Sequence, residues 1–347
     1  MNVSTTEWLI TVGVTIAVLL FDILIVARRP HEPTLKECAV YLAGYVSLAV
    51  AFGIWVTIFH NTSGPDGDYG LQFFAGWLTE YSLSIDNLFI FIIIMASFNV
   101  PRKYQQEALL VGIVIALIFR GMFIALGAVA IEQFSWIFYL FGAFLLYTAF
   151  TLMSDKSHDD DGENAVVRFA RRFLNTSDEW LGLKLFIKRG GKTFITPMFL
   201  VILSLGTTDL LFALDSIPAI YGLTMEPYLV FTANVFALMG LRQLYFLLGG
   251  LLKKLIYLSR GLAVLLGFIG VKLLLHALHE NELPFLNGGE PVGVPEIPTL
   301  LSLGVIIVIL AVTAVVSLAV SSRRDAAEAS AAAAIRKEQD GPSDEVS

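Results

Sequence analysis

Two pairs of acidic residues with the same spacing lie inside apolar stretches of the sequence. Glu80 and Asp86 are six residues apart in the first stretch, and Asp209 and Asp215 are six apart in the second. An ionisable side chain within a membrane-spanning segment costs at least about 2.5–3.5 kcal/mol on insertion scales. Two matched pairs at that cost indicate a functional site.

The residue types at this site favour a hard divalent cation. Carboxylate, amide and hydroxyl oxygens are the usual ligands of Mn²⁺, Ca²⁺ and Mg²⁺, and oxygen chemistry alone leaves these three ions open. Asn87 follows Asp86 and Ser216 follows Asp215, so the two copies match beyond their carboxylates. Further neutral oxygens nearby belong to Ser84, Thr208 and Asn234. The predicted metal ligands are Glu80, Asp86, Asp209, Asp215, Asn87 and Ser216.

Three basic residues, Arg120, Arg242 and Lys272, also lie within apolar stretches and are the predicted charge partners of these carboxylates. They are either structural counter-ions that make the empty site tolerable, or functional groups. As functional groups they would release carboxylates during transport, or lower the carboxylate pKa values so that protons exchange for metal. The single cysteine, Cys38, excludes an intramolecular disulfide and a metal site built on several cysteines. Neither a phosphate-binding loop nor a His-Glu-x-x-His motif occurs, so we expect no enzyme activity and no permanently bound cofactor.

The composition predicts a membrane protein. The chain is 56% hydrophobic and 15% charged, and its mean hydropathy is +0.74. A helix that crosses the hydrocarbon core needs about 20 predominantly apolar residues. We identify nine such stretches, at about 6–27, 38–60, 71–98, 107–131, 134–153, 195–221, 228–250, 258–279 and 299–320.

The basic residues outside these stretches predict the orientation of the chain. With the N-terminus outside and the C-terminus in the cytoplasm, they all fall on the cytoplasmic side. The opposite loops, at 61–70, 132–133, 222–227 and 280–298, contain no Lys or Arg. This is the positive-inside distribution of a multi-pass protein in a bacterial plasma membrane. Since the basic groups serve topology, the net charge of −7 does not indicate a nucleic-acid partner.

The predicted fold is an all-α polytopic membrane protein of about nine transmembrane helices with a 3+3 inverted repeat. Each half has an acidic helix, then a helix with an arginine, then a helix with glycine, and an odd number of spans inverts the second copy. The predicted segments are two N-terminal helices (1–60), repeat 1 (70–153), a cytoplasmic loop (154–194), repeat 2 (195–280), a C-terminal helix (298–322) and a disordered cytoplasmic tail (323–347).

The six-residue spacing also predicts how the carboxylates are distributed across the membrane. On a straight helix, residues six apart are separated by about 9 Å along the axis and about 240° around it. The helix must therefore unwind between the members of a pair, or each member belongs to a different level. From the antiparallel directions of the two helices we expect Asp86 level with Asp209, and Glu80 level with Asp215.

Two features of the cytoplasmic loop have their own predictions. An acidic patch at 158–163 is expected to be a solvated loop, with a weak cytosolic metal sensor as the alternative. A basic amphipathic stretch at 166–173 is expected to lie on the anionic inner leaflet of the bilayer.

Several of these motifs resemble those of the TerC family of integral membrane proteins, within the broader LysE-like transporter superfamily. The matching parts are Glu80-Tyr-Ser-Leu-Ser-Ile-Asp86-Asn87, the stretch from Thr208 to Ala219, the segment around Arg242, and Gly270-Val-Lys272-Leu. The resemblance covers about residues 38–320. It implies that Glu80, Asp86, Asp209 and Asp215 are the functional acidic residues. It also implies a link to manganese export, metal homeostasis and tellurium resistance.

The sequence therefore predicts a membrane transporter that moves Mn²⁺ out of the cytoplasm through an intramembrane acidic site, in exchange for protons. Its expected partners are the lipid bilayer and a divalent metal ion as substrate. The alternative is a membrane scaffold of a tellurium- or stress-resistance complex that recruits cytosolic stress-resistance proteins through the 154–194 loop.

Overall fold

A computed structural model of the chain describes residues 1, 3–28, 34–62, 67–134, 136–154, 177, 180, 184–189, 192–248, 255–281, 283 and 286–339. Its helices are α1 (Thr5–Arg28), α2 (Leu35–Phe59), α3 (Tyr69–Ser97), α4 (Arg102–Gln133), α5 (Ile137–Met153), α6 (Pro197–Tyr221), α7 (Pro227–Met239), α8 (Leu241–Leu248), α9 (Leu258–His279) and α10 (Thr299–Gln339). A short antiparallel hairpin, β1 (Phe186–Arg189) and β2 (Lys192–Ile195), precedes α6.

Each of the nine predicted spans coincides with helix in the part of the chain that the structure describes. Seven helical stretches there are long and apolar enough to cross a membrane, with α7 and α8 counted together as Pro227–Leu247. The apolar helix over Thr5–Val18 and α5, Ile137–Met153, are shorter. The seventh predicted span, 228–250, is divided into α7 and α8 at Gly240, which is not part of either helix. The all-helical membrane architecture is thus confirmed.

The two acidic helices, α3 and α6, are continuous through their carboxylate pairs. Neither Ser82 and Ser84 in α3 nor Gly206 in α6 interrupts its helix, and α6 also continues across Pro218. The side chain of Thr196 caps the first turn of α6 by accepting a hydrogen bond from the Phe199 amide. The members of each pair therefore lie on different faces and at different heights, as an unbroken helix requires.

Close packing through glycine joins α5 to α9. Helices α5 and α9 make the most extensive helix–helix contact among the described residues, and Gly142 faces Gly270 at their crossing. Without a hydrophobic driving force between helices in lipid, small residues that let backbones approach are a main source of helix association. Helix α3 lies at the centre, in contact with α2, α6, α7 and α10.

The loop before α6 contains more regular structure than the sequence indicated. The hairpin packs against the start of α6, where Phe186 contacts Phe199. The hydroxyl of Thr196, the residue before the helix, donates to the Lys184 carbonyl at 2.6 Å. Trp180 stacks on Tyr104 of α4, with the ring centroids 6.3 Å apart. The acidic patch at 158–163 and the amphipathic stretch at 166–173 lie outside the described residues.

Helix α10 continues to Gln339, beyond the predicted end of the C-terminal helix at 322 and into the predicted tail, 323–347. The sequence there is rich in alanine, the residue with the highest helix propensity. The disorder of the tail stays a prediction. Residues 340–347 lie outside the described part of the chain.

The α5–α9 crossing gives a test of this packing. A Cβ atom added at Gly142 would lie 2.8 Å from Leu274 Cγ and 3.0 Å from the Gly270 carbonyl oxygen. We expect Gly142→Ala to lower the melting temperature of the purified protein in detergent, because overpacking a tight contact costs roughly 1–3 kcal/mol. The matched control is Gly304→Ala in α10, where the added Cβ meets nothing within 4 Å. An equal effect of the two substitutions would contradict this account of the crossing.

Candidate functional site

A single arginine lies between two carboxylates in the interior of the helix bundle. Arg120 of α4 donates from Nε to Asp209 Oδ2 at 3.2 Å and from Nη2 to Asp209 Oδ1 at 3.1 Å. Its Nη1 forms an ion pair with Glu80 Oε1. The side chains of Glu80, Arg120 and Asp209 are 0%, 1% and 2% exposed. Three charged groups from α3, α4 and α6 therefore share one buried cluster.

Neutral oxygens complete the surroundings of Arg120. Nη1 also donates to Ser216 Oγ at 3.1 Å and to Asn234 Oδ1 at 2.9 Å. The Asn234 amide group donates to the Val230 carbonyl at 2.9 Å, which orients its oxygen towards the arginine. Ser84 donates to Glu80 Oε1 at 3.3 Å. The structure thus places Ser84 beside Glu80, and Ser216 and Asn234 beside the arginine that binds the two carboxylates.

Helical periodicity explains how these residues converge. Glu80 and Ser84 are one turn apart on α3, so their side chains lie on the same face. Asp209 and Ser216 are two turns apart on α6 and also share a face. Asn234 lies on α7, which packs against α3 and α4. Four helices, α3, α4, α6 and α7, thus supply the polar groups.

The expected levels of the carboxylates are wrong. Glu80 is level with Asp209, because both bind the same guanidinium group. The reason is the position of each residue within its helix: Glu80 is about as far from the start of α3 at Tyr69 as Asp209 is from the start of α6 at Pro197. Both residues thus lie towards the middle of their helices, where α3 and α6 are in contact.

Asp215, the second member of the α6 pair, has a hydrogen-bond partner outside the Arg120 cluster. Asp215 is half-buried, and its Oδ1 accepts a hydrogen bond from the Thr148 hydroxyl of α5 at 3.2 Å. Thr148 is not among the site residues predicted from the sequence. A hydroxyl group within an apolar helix is the only feature of the sequence that points to it. Asn87 is buried on α3. The backbone of Asp86 belongs to α3, but its side chain lies outside the described part of the structure.

The three predicted charge partners occupy different places. Arg120 holds the central carboxylates. Arg242 is buried on α8, which packs against α2, and Lys272 is half-buried on α9. Lys272 lines a cavity of about 600 Å³ at the end of the bundle formed by the α6–α7 connection and the segment before α10. His276, one turn from Lys272, lines the same cavity.

The cluster contains two carboxyl groups and one guanidinium group. With both carboxyl groups ionised, Glu80, Arg120 and Asp209 together would carry one net negative charge. Glu80 Oε2 is buried without a hydrogen-bond partner among the described groups. In the described part of the chain, no three His, Cys, Asp or Glu side chains are grouped so as to hold a metal ion. The arrangement is thus an ion-paired one in which a protein cation occupies the oxygen-rich centre.

Comparisons with known proteins give consistent results along most of the chain. Residues 66–325 match the model of the "Integral membrane protein TerC family". An uncharacterized membrane protein of Mycobacterium tuberculosis is 45% identical over 322 residues, which cover 91% of this chain and 80% of the relative. An uncharacterized membrane protein of Myxococcus xanthus is 38% identical over 269 residues, 77% of this chain and 82% of that protein.

A further relative, from Escherichia coli K12, has a more specific name. It is named "Putative membrane-bound redox modulator Alx" and is 34% identical over 321 residues, which cover 90% of this chain and 94% of the relative. No solved structure gives a significant match. The similarity extends across the helices that carry the Arg120 cluster.

The ion-paired cluster predicts a clear order of stability among variants. We expect Arg120→Gln to be destabilised strongly, because removing one partner of a buried ion pair costs about 3–5 kcal/mol when the other charge stays buried. Glu80→Gln, Arg120→Gln and Asp209→Asn together remove all three charges, and this triple variant should be far closer to the wild type. The measurement is the melting temperature of the purified proteins in detergent. A triple variant as unstable as Arg120→Gln would contradict the assignment of the cost to unpaired charge.

Proposed function

Because the chain belongs to the TerC family of integral membrane proteins, we propose that it is a cation transporter of the bacterial plasma membrane that exports Mn²⁺ from the cytoplasm. The observation that carries this proposal is the set of oxygens around Arg120. Carboxylate oxygens of Glu80 and Asp209, the amide oxygen of Asn234 and the hydroxyl of Ser216 surround one guanidinium group. Oxygen ligands of these kinds are those that Mn²⁺, Mg²⁺ and Ca²⁺ prefer.

In this proposal, the Arg120 side chain competes with the transported ion for the same oxygen atoms. Its guanidinium group uses the oxygens that a divalent cation would need, so a metal ion binds only when Arg120 withdraws. Return of Arg120 to Glu80 and Asp209 then expels the ion. A competing charge lowers the affinity for the metal, and it also prevents the acidic centre from retaining its substrate. Carboxylates freed by the arginine are the groups that carry protons in exchange.

Asp215 and Asp86 extend the path on either side of the centre. Asp215 lies six residues beyond Asp209 along α6, about 9 Å at the rise of an α-helix, and it is half-buried beside Thr148. Asp86 lies six residues beyond Glu80 along α3, which runs antiparallel to α6 in the proposed repeat. We assign them as the ligands through which the ion enters and leaves, one towards each face.

An inverted repeat of α3–α5 and of α6–α9 provides the moving parts. Support comes from the helix contacts: α3 packs on α7 to about the same extent as α4 packs on α6, and α5 packs on α9. A two-fold axis in the membrane plane would exchange the halves in this way. Alternating access then consists of one half rocking against the other around the central site. The N-terminus lies outside and the C-terminus in the cytoplasm in this topology.

The transport proposal is tested by total cellular manganese after a Mn²⁺ load, measured by elemental analysis. Cells that express the wild type should contain less manganese than cells that express Asp215→Asn or Glu80→Gln at matched membrane levels. The substitutions keep side-chain size and remove a charge that the proposed path needs. The matched control is Glu290→Gln, which removes a carboxylate from an exposed position and should leave efflux unchanged.

Equal manganese in all four strains, with other metals also unchanged, would contradict cation transport. A scaffold that acts through the loop before α6 makes the opposite prediction. Deletion of residues 157–172 would then abolish the metal phenotype, whereas Asp215→Asn would preserve it. This deletion retains the hairpin and Thr196, which support the start of α6.

The competitor role of Arg120 has a separate test on purified protein. In Arg120→Gln the oxygens are free of the guanidinium group, so we expect Mn²⁺ to bind at least about tenfold more tightly than to the wild type, or about 1.4 kcal/mol. Because a ligand of the native state raises stability, Mn²⁺ should increase the melting temperature of Arg120→Gln more than that of the wild type. The triple variant with Glu80→Gln and Asp209→Asn should show no such increase. Weaker binding to Arg120→Gln than to the wild type would overturn the competitor role.

A further inference from the structure

An apolar groove with a volume of about 190 Å³ lies between α3, α9 and α10. The side chains along it include Leu78 and Ile85 of α3, Leu262 of α9, and Leu310 and Ala314 of α10. All three helices contain stretches that are long and apolar enough to cross a membrane. Leu78, Ile85, Leu310 and Ala314 are each half-buried, so the groove is accessible from outside the bundle.

The lining of this groove favours a hydrocarbon chain as its occupant. None of the described residues that line it is charged, and their polar side chains carry only the hydroxyl groups of Tyr81, Ser82 and Thr313. Helices α9 and α10 approach closely beside it, because a Cβ atom added at Gly261 would lie 2.1 Å from Thr313 Oγ1. Contact between apolar surfaces within a membrane depends on close packing, so a groove between packed helices can hold a chain that fits its shape.

One face of α10 leads from this groove to a basic side chain. Ala314, Ser317, Ser321 and Arg324 recur at intervals of three or four residues, so they share that face of the helix. Ser317 and Ser321 are buried, which shows that the face is turned towards the bundle. The Ser317 hydroxyl accepts a hydrogen bond from the Tyr257 backbone N–H at 3.1 Å, next to the start of α9. Arg324 is exposed and lies about 15 Å beyond Ala314 along the helix.

A second arginine belongs to the first turn of α9, at the same end of the groove. Arg260 is exposed, and its guanidinium carbon lies 5.5 Å from the centroid of the Tyr257 ring. Leu258 and Gly261, on either side of it in the sequence, line the groove. Tyrosine is enriched where a helix meets the membrane surface, and long basic side chains there reach towards the headgroups. Guanidinium groups bind phosphate oxygens in a bidentate geometry, so these arginines complement a phosphate group.

We propose that the groove and its two arginines bind an anionic phospholipid, with the phosphate at Arg260 and Arg324 and one acyl chain between α3, α9 and α10. Basic pockets between transmembrane helices are known binding sites for such headgroups. In the orientation proposed above, the lipid belongs to the inner leaflet. Its chain would contact α3 at Tyr81, the residue after Glu80, and so reach the helix that carries a central carboxylate. The site does not depend on which ion the protein moves, or on whether it moves one.

The headgroup contact is tested with purified protein in detergent, freed of its own lipid and titrated with dioleoyl phosphatidylglycerol or dioleoyl phosphatidylcholine. Native mass spectrometry gives the dissociation constant of the first bound lipid. The two lipids have the same chains, so we expect the anionic one to bind at least about fivefold more tightly because of the arginines. The double variant Arg260→Gln with Arg324→Gln should bring the two constants close together. Arg102→Gln is the matched control, at an exposed position on α4 outside the groove, and it should preserve the preference.

The acyl-chain contact is tested by filling the groove. Ala314→Trp places a large ring where the chain would lie, so we expect both lipids to bind at least about fivefold more weakly. Ala319→Trp is the matched control, since it places the same ring on an exposed part of α10 and should leave binding unchanged. If Ala314→Trp does not fold, the arginine variants still decide, because they alter exposed side chains.

Three results would overturn the proposal. The first is equal affinity of the wild type for the two lipids, and the second is a preference that persists in the double arginine variant. The third is unchanged lipid binding by folded Ala314→Trp. The same spectra count protein chains, and a dimer that Ala314→Trp converts to a monomer would assign the groove to a second copy of the chain instead. None of these results affects the manganese measurement, since lipid binding is measured without transport.

Discussion

The structure depends on the burial of three charged side chains at the centre of a membrane protein. Glu80, Arg120 and Asp209 are almost completely inaccessible, and each would be costly alone in an apolar interior. The fork of Arg120 makes the burial tolerable because its nitrogens reach both carboxylates and two neutral oxygens at once. A lysine would place one point charge there and could not reproduce this geometry. The cluster therefore fixes the relative positions of α3, α4, α6 and α7.

The remaining helices support this centre through close packing. The glycine contact between α5 and α9 brings α5 near α6, where Thr148 meets Asp215. Polar interactions cross the bundle at a few places, and apolar packing fills the space between them. The polar groups around Arg120 have specific partners on four helices, so their arrangement is restricted. A change at this centre would move whole helices together, which is the kind of motion that the proposed repeat allows.

The sequence predicted the positions of the helices and the polar residues within them. It did not predict how residues on different helices are placed relative to one another. Length and hydropathy locate the nine spans because the bilayer restricts backbone structure to helices. The matched motifs identify Glu80, Asp209, Ser216 and Asn234 because ionisable and polar residues are rare within such spans. Spacing alone does not fix the depth of one helix relative to another in the membrane. The predicted matching of carboxylate levels between α3 and α6 was therefore wrong. Spacing also gives no indication that Thr148 would face Asp215, or that alanines beyond residue 323 would remain helical.

The asymmetry of the two arginines bears on the proposed mechanism. In the proposed repeat, Arg120 and Arg242 are counterparts, yet Arg120 binds both central carboxylates while Arg242 lies beyond the break at Gly240, on a short helix against α2. In the proposed mechanism, the structure with Arg120 on the carboxylates is one of two states that the repeat relates. The other state would exchange the roles of the halves and take Arg120 off the carboxylates. Under the proposal that a metal ion uses the same oxygens, the exchange of halves and the exchange of cations would be one event.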